Sequence, residues 1–307
     1  MSATLLQLVQ QFSRETALFA YPSVAATSFD DGVLQAVGLL NATGYELQRE
    51  YDWQWITKTN LITAGQNVLP GQAFAGAGIN LDASVIIPDS TYMVSGPGIN
   101  QGTFVTSSGT LAIQLSQNAT ATSAAHTNFT FGQVRYTMPS DYDRQIDRTH
   151  WDKTRHWEML GPETAQQWEW LLSGYISTGP RIRYRIFGNY FQIWPMAQNN
   201  EVLGFEYISN AWVSSAAAVS GGLAPDQTSL LADTDTCIFP DRLMVLALKR
   251  KMWEIKGFDS SAIERDYQAQ LSIAKANDAG SPTLSMAPRI SRILIGYENI
   301  PDSGYGT

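Results

Sequence analysis

Cysteine is nearly missing from this chain: Cys237 is the one thiol in 307 residues. That excludes an internal disulfide and fits folding in a reducing compartment. No base stands near Cys237 in sequence to make it a nucleophile, so a buried structural thiol is expected. Histidine is almost as scarce, with three residues, which leaves little material for imidazole-based acid–base or metal chemistry. No apolar run approaches the roughly 20 residues of a membrane-spanning helix, and no membrane partner is expected. Residues 1–8 lack the basic and apolar blocks of a secretory signal, so the acceptor-type triplets at Asn41, Asn118 and Asn128 carry no weight. Basic residues are outnumbered, 20 against 28 acidic, for a net charge of −8. Tight nucleic-acid binding draws on a large positive surface, so this balance argues against a conventional DNA-binding protein. An acidic wall would instead let a duplex slide past.

What is abundant is apolar and aromatic mass: 44% hydrophobic, 11% aromatic and nine Trp. A chain of this length holds one large domain or two ordinary ones, with a substantial core and no need of staples. The spacing of Leu5, Leu8, Val9 and Phe12 predicts a helix over 4–20. Ser28 or Asp30 is placed to cap a second helix to about Tyr51, with Val33, Leu34, Val37, Leu40, Gly44 and Leu47 as its apolar stripe. The two helices would form an antiparallel hairpin, closed by Tyr51, Trp53 and Trp55 as core aromatics.

From about 62 to 132 charge almost vanishes, and Gly, Ser, Thr, Asn and Ala dominate. Runs of strand character at 83–87, 91–94, 102–106, 110–115 and 129–134, separated by turn signals, predict a small β-sandwich or barrel. The cluster Gly71 to Gly78 lacks the Lys-Ser/Thr of a nucleotide loop and reads as turn chemistry.

Residues 139–160 are the most densely charged, with Asp141, Asp143, Asp147 and Asp152 among Arg144, Arg148, Lys153 and Arg155. His150 and His156 flank Trp151 and Trp157. A metal site is the sharper hypothesis, but the spacing is not that of a helical zinc pair. A salt-bridged loop packing on a neighbour explains it better. Gly161-Pro162-Glu163 predicts a helix start, with Trp168, Leu171 and Leu172 inward.

The stretch 183–213 is the most legible. Gly188-Asn189 between two aromatic and β-branched runs is a two-residue hairpin signal. Pro195 ends the second strand, Gln198-Asn199-Asn200 turns, and Phe205 and Tyr207 return as a third strand of an antiparallel meander. Arg181, Arg183 and Arg185 alternate with apolar residues, so they share one face, read as an inter-subunit face. Pro240-Asp241 opens a helix to Lys256 with Gly257 as its stop, and Ser260 or Ser261 caps another over 262–276. After Gly280 no helical period remains. Arg289, Ile290, Arg292, Ile293, Ile295 and Tyr297 would form a strand-like arm seeking a partner, or a disordered tail.

The set Tyr184, Arg185, Ile186, Gly188, Pro195, Phe205 to Ser209, Trp212 and Val213 resembles the head-to-tail adaptor (connector) proteins of short-tailed bacteriophages. The aromatic close of the second helix, the Met138-Pro139-Ser140-Asp141 turn and Gly257-Phe258-Asp259 follow the same pattern. The resemblance covers most of the chain except roughly 63–132. It implies an α+β fold: a helical-bundle adaptor core (1–62 and 133–280) with an antiparallel β-meander, an inserted all-β domain (63–132) and an extended C-terminal arm (281–307). It also implies a structural virion protein, assembled in the host bacterial cytoplasm into a twelve-fold ring at the head–tail interface. Its partners would be the portal protein, a tail or nozzle protein and possibly a tail fibre, with genomic DNA passing through the lumen. The arm would reach the portal or a neighbouring subunit; Arg144, Arg148, Asp152, Arg155, Arg181, Arg183 and Arg185 are candidate inter-subunit charges. No catalytic constellation, cofactor or metal is expected. The alternatives are a carbohydrate- or surface-binding module built on the β-rich insertion, or a peptidoglycan-cleaving tail protein.

Overall fold

A computed structural model describes residues 2–85, 91–109, 111–173 and 181–279; the arm residues named above lie outside them. The chain is mixed α and β, with six α-helices and antiparallel sheets among the described residues. The helices are α1 (Leu5–Thr16), α2 (Asp31–Glu50), α3 (Ala165–Leu172), α4 (Ala216–Gly221), α5 (Asp241–Lys256) and α6 (Ser261–Ala279).

Local chemistry sets their ends. Thr4 and Gln7 form a reciprocal capping box at α1, satisfying N–H groups that the first turn leaves bare. Asp30, not Ser28, caps α2 by accepting from the Gly32 and Val33 amides. Gly257 closes α5 in the left-handed region, at φ 73°. The predicted helix start at Gly161 is corrected to Ala165, because Thr164 and Gln167 make the capping box there.

α5 is the hub: α1, α2 and α6 all pack on it, and Leu243 through Leu248 are six consecutive buried residues. The hairpin expected of α1 and α2 is therefore held chiefly by each one leaning on α5. Carboxylates ring the hub. Glu46 meets Lys251 at 2.6 Å, Glu264 meets Arg250 at 3.3 Å, and Glu15 pairs with Arg242 and Lys249. Burial opposes the charge on Glu15, yet hydrogen bonds from Lys249, Gln11 and Arg242 outweigh it and hold the carboxyl at about 2.

A five-stranded sheet adjoins this layer, formed by β1 (Thr57–Thr63), β9 (Tyr142–Gln145), β10 (Trp151–Asp152), β11 (Trp157–Glu158) and β14 (Val202–Ser209). β14 is central: β1 pairs along one edge over seven residues, while β9 and β10 share the other edge. A three-stranded sheet contains β12 (Arg183–Phe187), β13 (Tyr190–Trp194) and β8 (Arg135–Thr137). The hairpin is as predicted, with Gly188 at φ 59°. The meander is not: β8 occupies the free edge of β13, and the third strand, β14, joins the other sheet. Pairing with β1 and two further partners satisfies both edges of β14, and its Leu203, Phe205 and Tyr207 still reach the core shared with Tyr184 and Phe191.

The insertion is a six-stranded sheet with its own core of Ile79, Val105, Ile113, Phe129 and Phe131. In order across the sheet its strands are β4 (Tyr92–Ser95), β7 (Thr127–Gln133), β2 (Gln66–Ala73), β3 (Ile79–Leu81), β6 (Ala112–Leu115) and β5 (Val105–Ser108). An isolated bridge from Met93 to Phe104 brings the two edge strands together, so the sheet is nearly closed, like a barrel. Residues 83–85 are not a strand, and 86–87 lie outside the described residues. A short pair, β15 (Val213–Ser214) with β16 (Thr236–Cys237), lies beside α1, where Thr4 bridges to Thr236.

Candidate functional site

The charged stretch 139–160 turns out to be largely an edge of the central sheet rather than a free loop. Asp141 is its keystone. Its carboxylate accepts from Lys58 Nζ at 2.6 Å, Tyr207 Oη at 2.8 Å and Ser209 Oγ at 2.8 Å, so one side chain ties β1 and β14 to the start of β9. Burial alone would raise its carboxyl, but these three bonds hold it below the usual range.

Several of the proposed inter-subunit charges are already satisfied within the chain. Arg144 Nε meets Asp52 at 2.9 Å, its Nη1 meets Asp143 at 2.8 Å, and its Nη2 reaches the Tyr51 carbonyl at 3.0 Å. Arg183 pairs with Glu163 at 2.6 Å. Asp152 is buried and accepts from the Thr154 and Arg155 amides, both at 3.0 Å. Arg155 turns inward to Glu201 at 2.8 Å. Glu201 is buried as well, and burial followed by the facing carboxyl of Asp152 pushes it above the ordinary carboxylate range, against the pull of Arg155. Nothing in the sequence signalled that Glu201, some fifty residues along, would join Asp152 and Arg155. Two closely placed carboxyls invite a glycosidase reading, but both side chains are buried, while Arg155, which pairs with them, is partly exposed.

Arg148, Arg181 and Arg185 have no carboxylate partner among the described residues. Arg185 lies over the exposed Phe187 ring at 4.8 Å, close to the tip of the β12–β13 hairpin, where Tyr190 is also exposed. Arg148 lies on the exposed side of the central sheet.

His150 leaves the metal hypothesis. Its ring is buried and stacked on Tyr184 at 4.0 Å and Phe205 at 5.2 Å, and neither ring nitrogen has a partner. His156 is placed apart, in the turn before β11, and no cluster of His, Cys, Asp or Glu suited to a metal occurs among the described residues. Burial pushes the His150 imidazole down to about 4, against a weak opposing pull from Asp147. The folded state therefore holds it neutral while the unfolded chain takes up a proton below about 6.5, so stability falls as pH drops from there toward 4. His150→Phe keeps the stack and removes two orphaned nitrogens, so it is expected to raise stability by about 1–2 kcal/mol at neutral pH. Urea denaturation should also show the wild-type loss between roughly pH 6.5 and pH 4 reduced in the variant.

The connection between α1 and α2 carries the most exposed large apolar side chain among the described residues, Phe29, with others beside it in sequence. Leu18, Tyr21, Val24 and Leu34 are all exposed, and Phe29 is 99% exposed. The connection itself is anchored. Gln10 bonds the Pro22 carbonyl at 3.0 Å, Ser13 bonds the Phe19 carbonyl at 3.0 Å, and Asp233 accepts from the Ala25 and Ala26 amides at 2.9 and 2.7 Å. Phe29 stands outside any periodic stripe, so the sequence pattern does not mark it. No protein-family model matches this chain, and no curated protein matches it.

Proposed function

We propose that this protein is a structural virion component: a phage head-to-tail adaptor that assembles as a twelve-fold ring beneath the portal, binds a tail or nozzle protein on the other side and lets DNA pass through its lumen. The observation that supports this most is the tethered connection bearing a fully exposed Phe29 among further exposed apolar residues. Large apolar groups on a fixed backbone are characteristic of surfaces that meet another protein. Arg185 with Phe187 and Tyr190 at the hairpin tip offers a second surface of the mixed aromatic and cationic kind found at interfaces. The residue pattern running from Tyr184 to Val213 supplies the family expectation; the apolar surfaces supply a physical reason for assembly.

A closed ring requires unlike surfaces of neighbouring copies to meet head to tail. Mass photometry of the chain alone and with the portal of the same virion tests the reading. A defined multiple of the subunit mass on the portal is expected. A monomer indifferent to the portal would remove the adaptor role and favour an independent binding module. Removing 281–307 is expected to abolish portal docking; unchanged docking would take the arm out of the assembly.

A further inference from the structure

The central sheet carries a groove of about 550 Å³ on its exposed face. Three features of the strands create it. First, β9 and β10 both pair with β14, and between them the chain bulges out. Opposite Glu206 the gap is spanned by Thr149, whose Oγ1 accepts from the Glu206 amide at 3.0 Å. Bulges of this kind re-aim side chains beside functional sites, and here Arg148 sits at the bulge with φ 64°. Second, Gly204 pairs with Trp151 on one side and Leu61 on the other. Directly paired residues share a face, so the missing side chain of Gly204 leaves a notch between a half-exposed Trp151 and an exposed Leu61. Third, the Lys153 stem lies across that notch: a Cβ on Gly204 would stand 2.6 Å from Lys153 Cε. His156, at φ 58°, closes the end of the groove.

The lining carries both signs, Arg148, Lys153 and His156 with Asp152 and Glu206. Arg148, Lys153 and His156 have no carboxylate partner among the described residues. The acid that could have neutralised them, Asp152, is turned inward to the Thr154 and Arg155 amides. Left-handed backbone at two non-glycine residues is uncommon and costs energy, and such strain collects at binding sites. The lining also includes the Glu206 carboxylate and the Thr59 hydroxyl, neighbours across β14 and β1.

We propose that this groove binds a sugar ring bearing one anionic substituent, a carboxylate or a phosphate. Trp151 offers an apolar face for the ring to stack on. Arg148 and Lys153 receive the anionic group, Arg148 in a fork suited to either oxyanion. Glu206 and Thr59 accept from the ring hydroxyls. The mixed signs decide the class. A polyanionic nucleic-acid strand would have to place phosphates against Glu206, whereas a hydroxyl-rich ring with a single charge suits a lining of both signs. The volume lies in the range of small-molecule sites. This inference is independent of ring assembly.

The test is calorimetry and saturation-transfer NMR on the full chain with glucuronate, glucose 6-phosphate, neutral glucose and a short oligothymidylate. Binding of one or both acidic sugars near about 1 mM is expected, with glucose and the oligonucleotide at least about tenfold weaker. Glucuronate over glucose 6-phosphate, or the reverse, identifies the anionic group. Gly204→Ala would push Lys153 out of the notch. The atoms it meets first are the flexible ends of Lys153 and Leu61, so the fold should hold while acidic-sugar binding falls at least about tenfold. Lys153→Met should bring glucuronate and glucose to equal affinity. No binding of either acidic sugar, equal binding of glucose by the unmodified chain, tighter binding of the oligonucleotide, or full binding by both variants would each overturn the proposal.

Discussion

Gly44→Ala is expected to destabilise the protein, while Gly38→Ala, less than two turns earlier in the same helix, stabilises it. In an exposed helix interior, alanine in place of glycine gains about 1 kcal/mol from backbone entropy. Gly38 is exposed with nothing within 4 Å of an added Cβ, so it should show that gain. At Gly44 a Cβ would fall 2.2 Å from Trp212 Cη2 and 2.3 Å from Cζ2. Trp212 is fully buried and lies 6.1 Å from the Phe239 ring, centroid to centroid, so it has no free space to enter. Overpacking of this kind costs about 1–3 kcal/mol and outweighs the helix gain. The two urea midpoints should move in opposite directions. Trp212→Phe in the Gly44→Ala background should recover part of the loss, giving a coupling of at least about 1 kcal/mol in a double-mutant cycle. A stabilised Gly44→Ala variant would show that α2 does not press on Trp212 as described.

Gly44 also illustrates what the sequence could reveal. It falls within the apolar stripe of α2, which is legible from spacing; that its role is to leave room for Trp212 is not, since Trp212 lies far along the chain. The helix ends at Asp30 and Gly257 were readable because capping is local, whereas α1 stops at Thr16, short of the expected residue 20, and α3 starts at Ala165 rather than at Gly161. The β12–β13 hairpin was readable for the same reason, as its turn residues lie between its strands. Strand partnership was not. Alternation in Leu203, Phe205 and Tyr207 sets which residues face inward, and it is silent on whether β13 or β1 lies alongside. β2 escaped because Gly71 reads as a turn residue, although it stands within a pairing of β2 with β7.

The acidic balance misled in a similar way. Composition counts carboxylates without saying where they point. Asp233 and Asp235 bind backbone amides of the segments that brace α1, Asp278 accepts from the Gln54 and Trp55 amides, and Asp141 clasps the central sheet. Several of the carboxylates behind the net charge of −8 therefore work inside the fold, and unpaired surface arginines can coexist with it. The proposed inter-subunit set divides accordingly. Arg144, Asp152, Arg155 and Arg183 are held within the chain, and the surface positions Arg148, Arg181 and Arg185 are not.

Phe29→Asp should leave the subunit as stable as before and strongly reduce its assembly. The side chain is 99% exposed, so the fold loses almost no burial when it is replaced. Surface changes of this sort usually stay within about 0.5 kcal/mol. Its neighbours cannot readily compensate, because the connection is fixed by Asp233 and by the bond from Gln10 to the Pro22 carbonyl. Such preorganisation lowers the ordering cost of binding and concentrates affinity in the projecting ring. Burying a phenylalanine contributes about 1.5–3 kcal/mol, and a carboxylate in its place adds a desolvation penalty, so each contact should weaken by at least about a hundredfold. In a closed ring the same contact recurs at every copy, so the loss compounds around the circle. Thermal melting of the isolated subunit together with mass photometry over a range of concentrations separates the two effects. Assembly at the wild-type concentration by a folded Phe29→Asp subunit would show that this connection faces solvent in the complete particle.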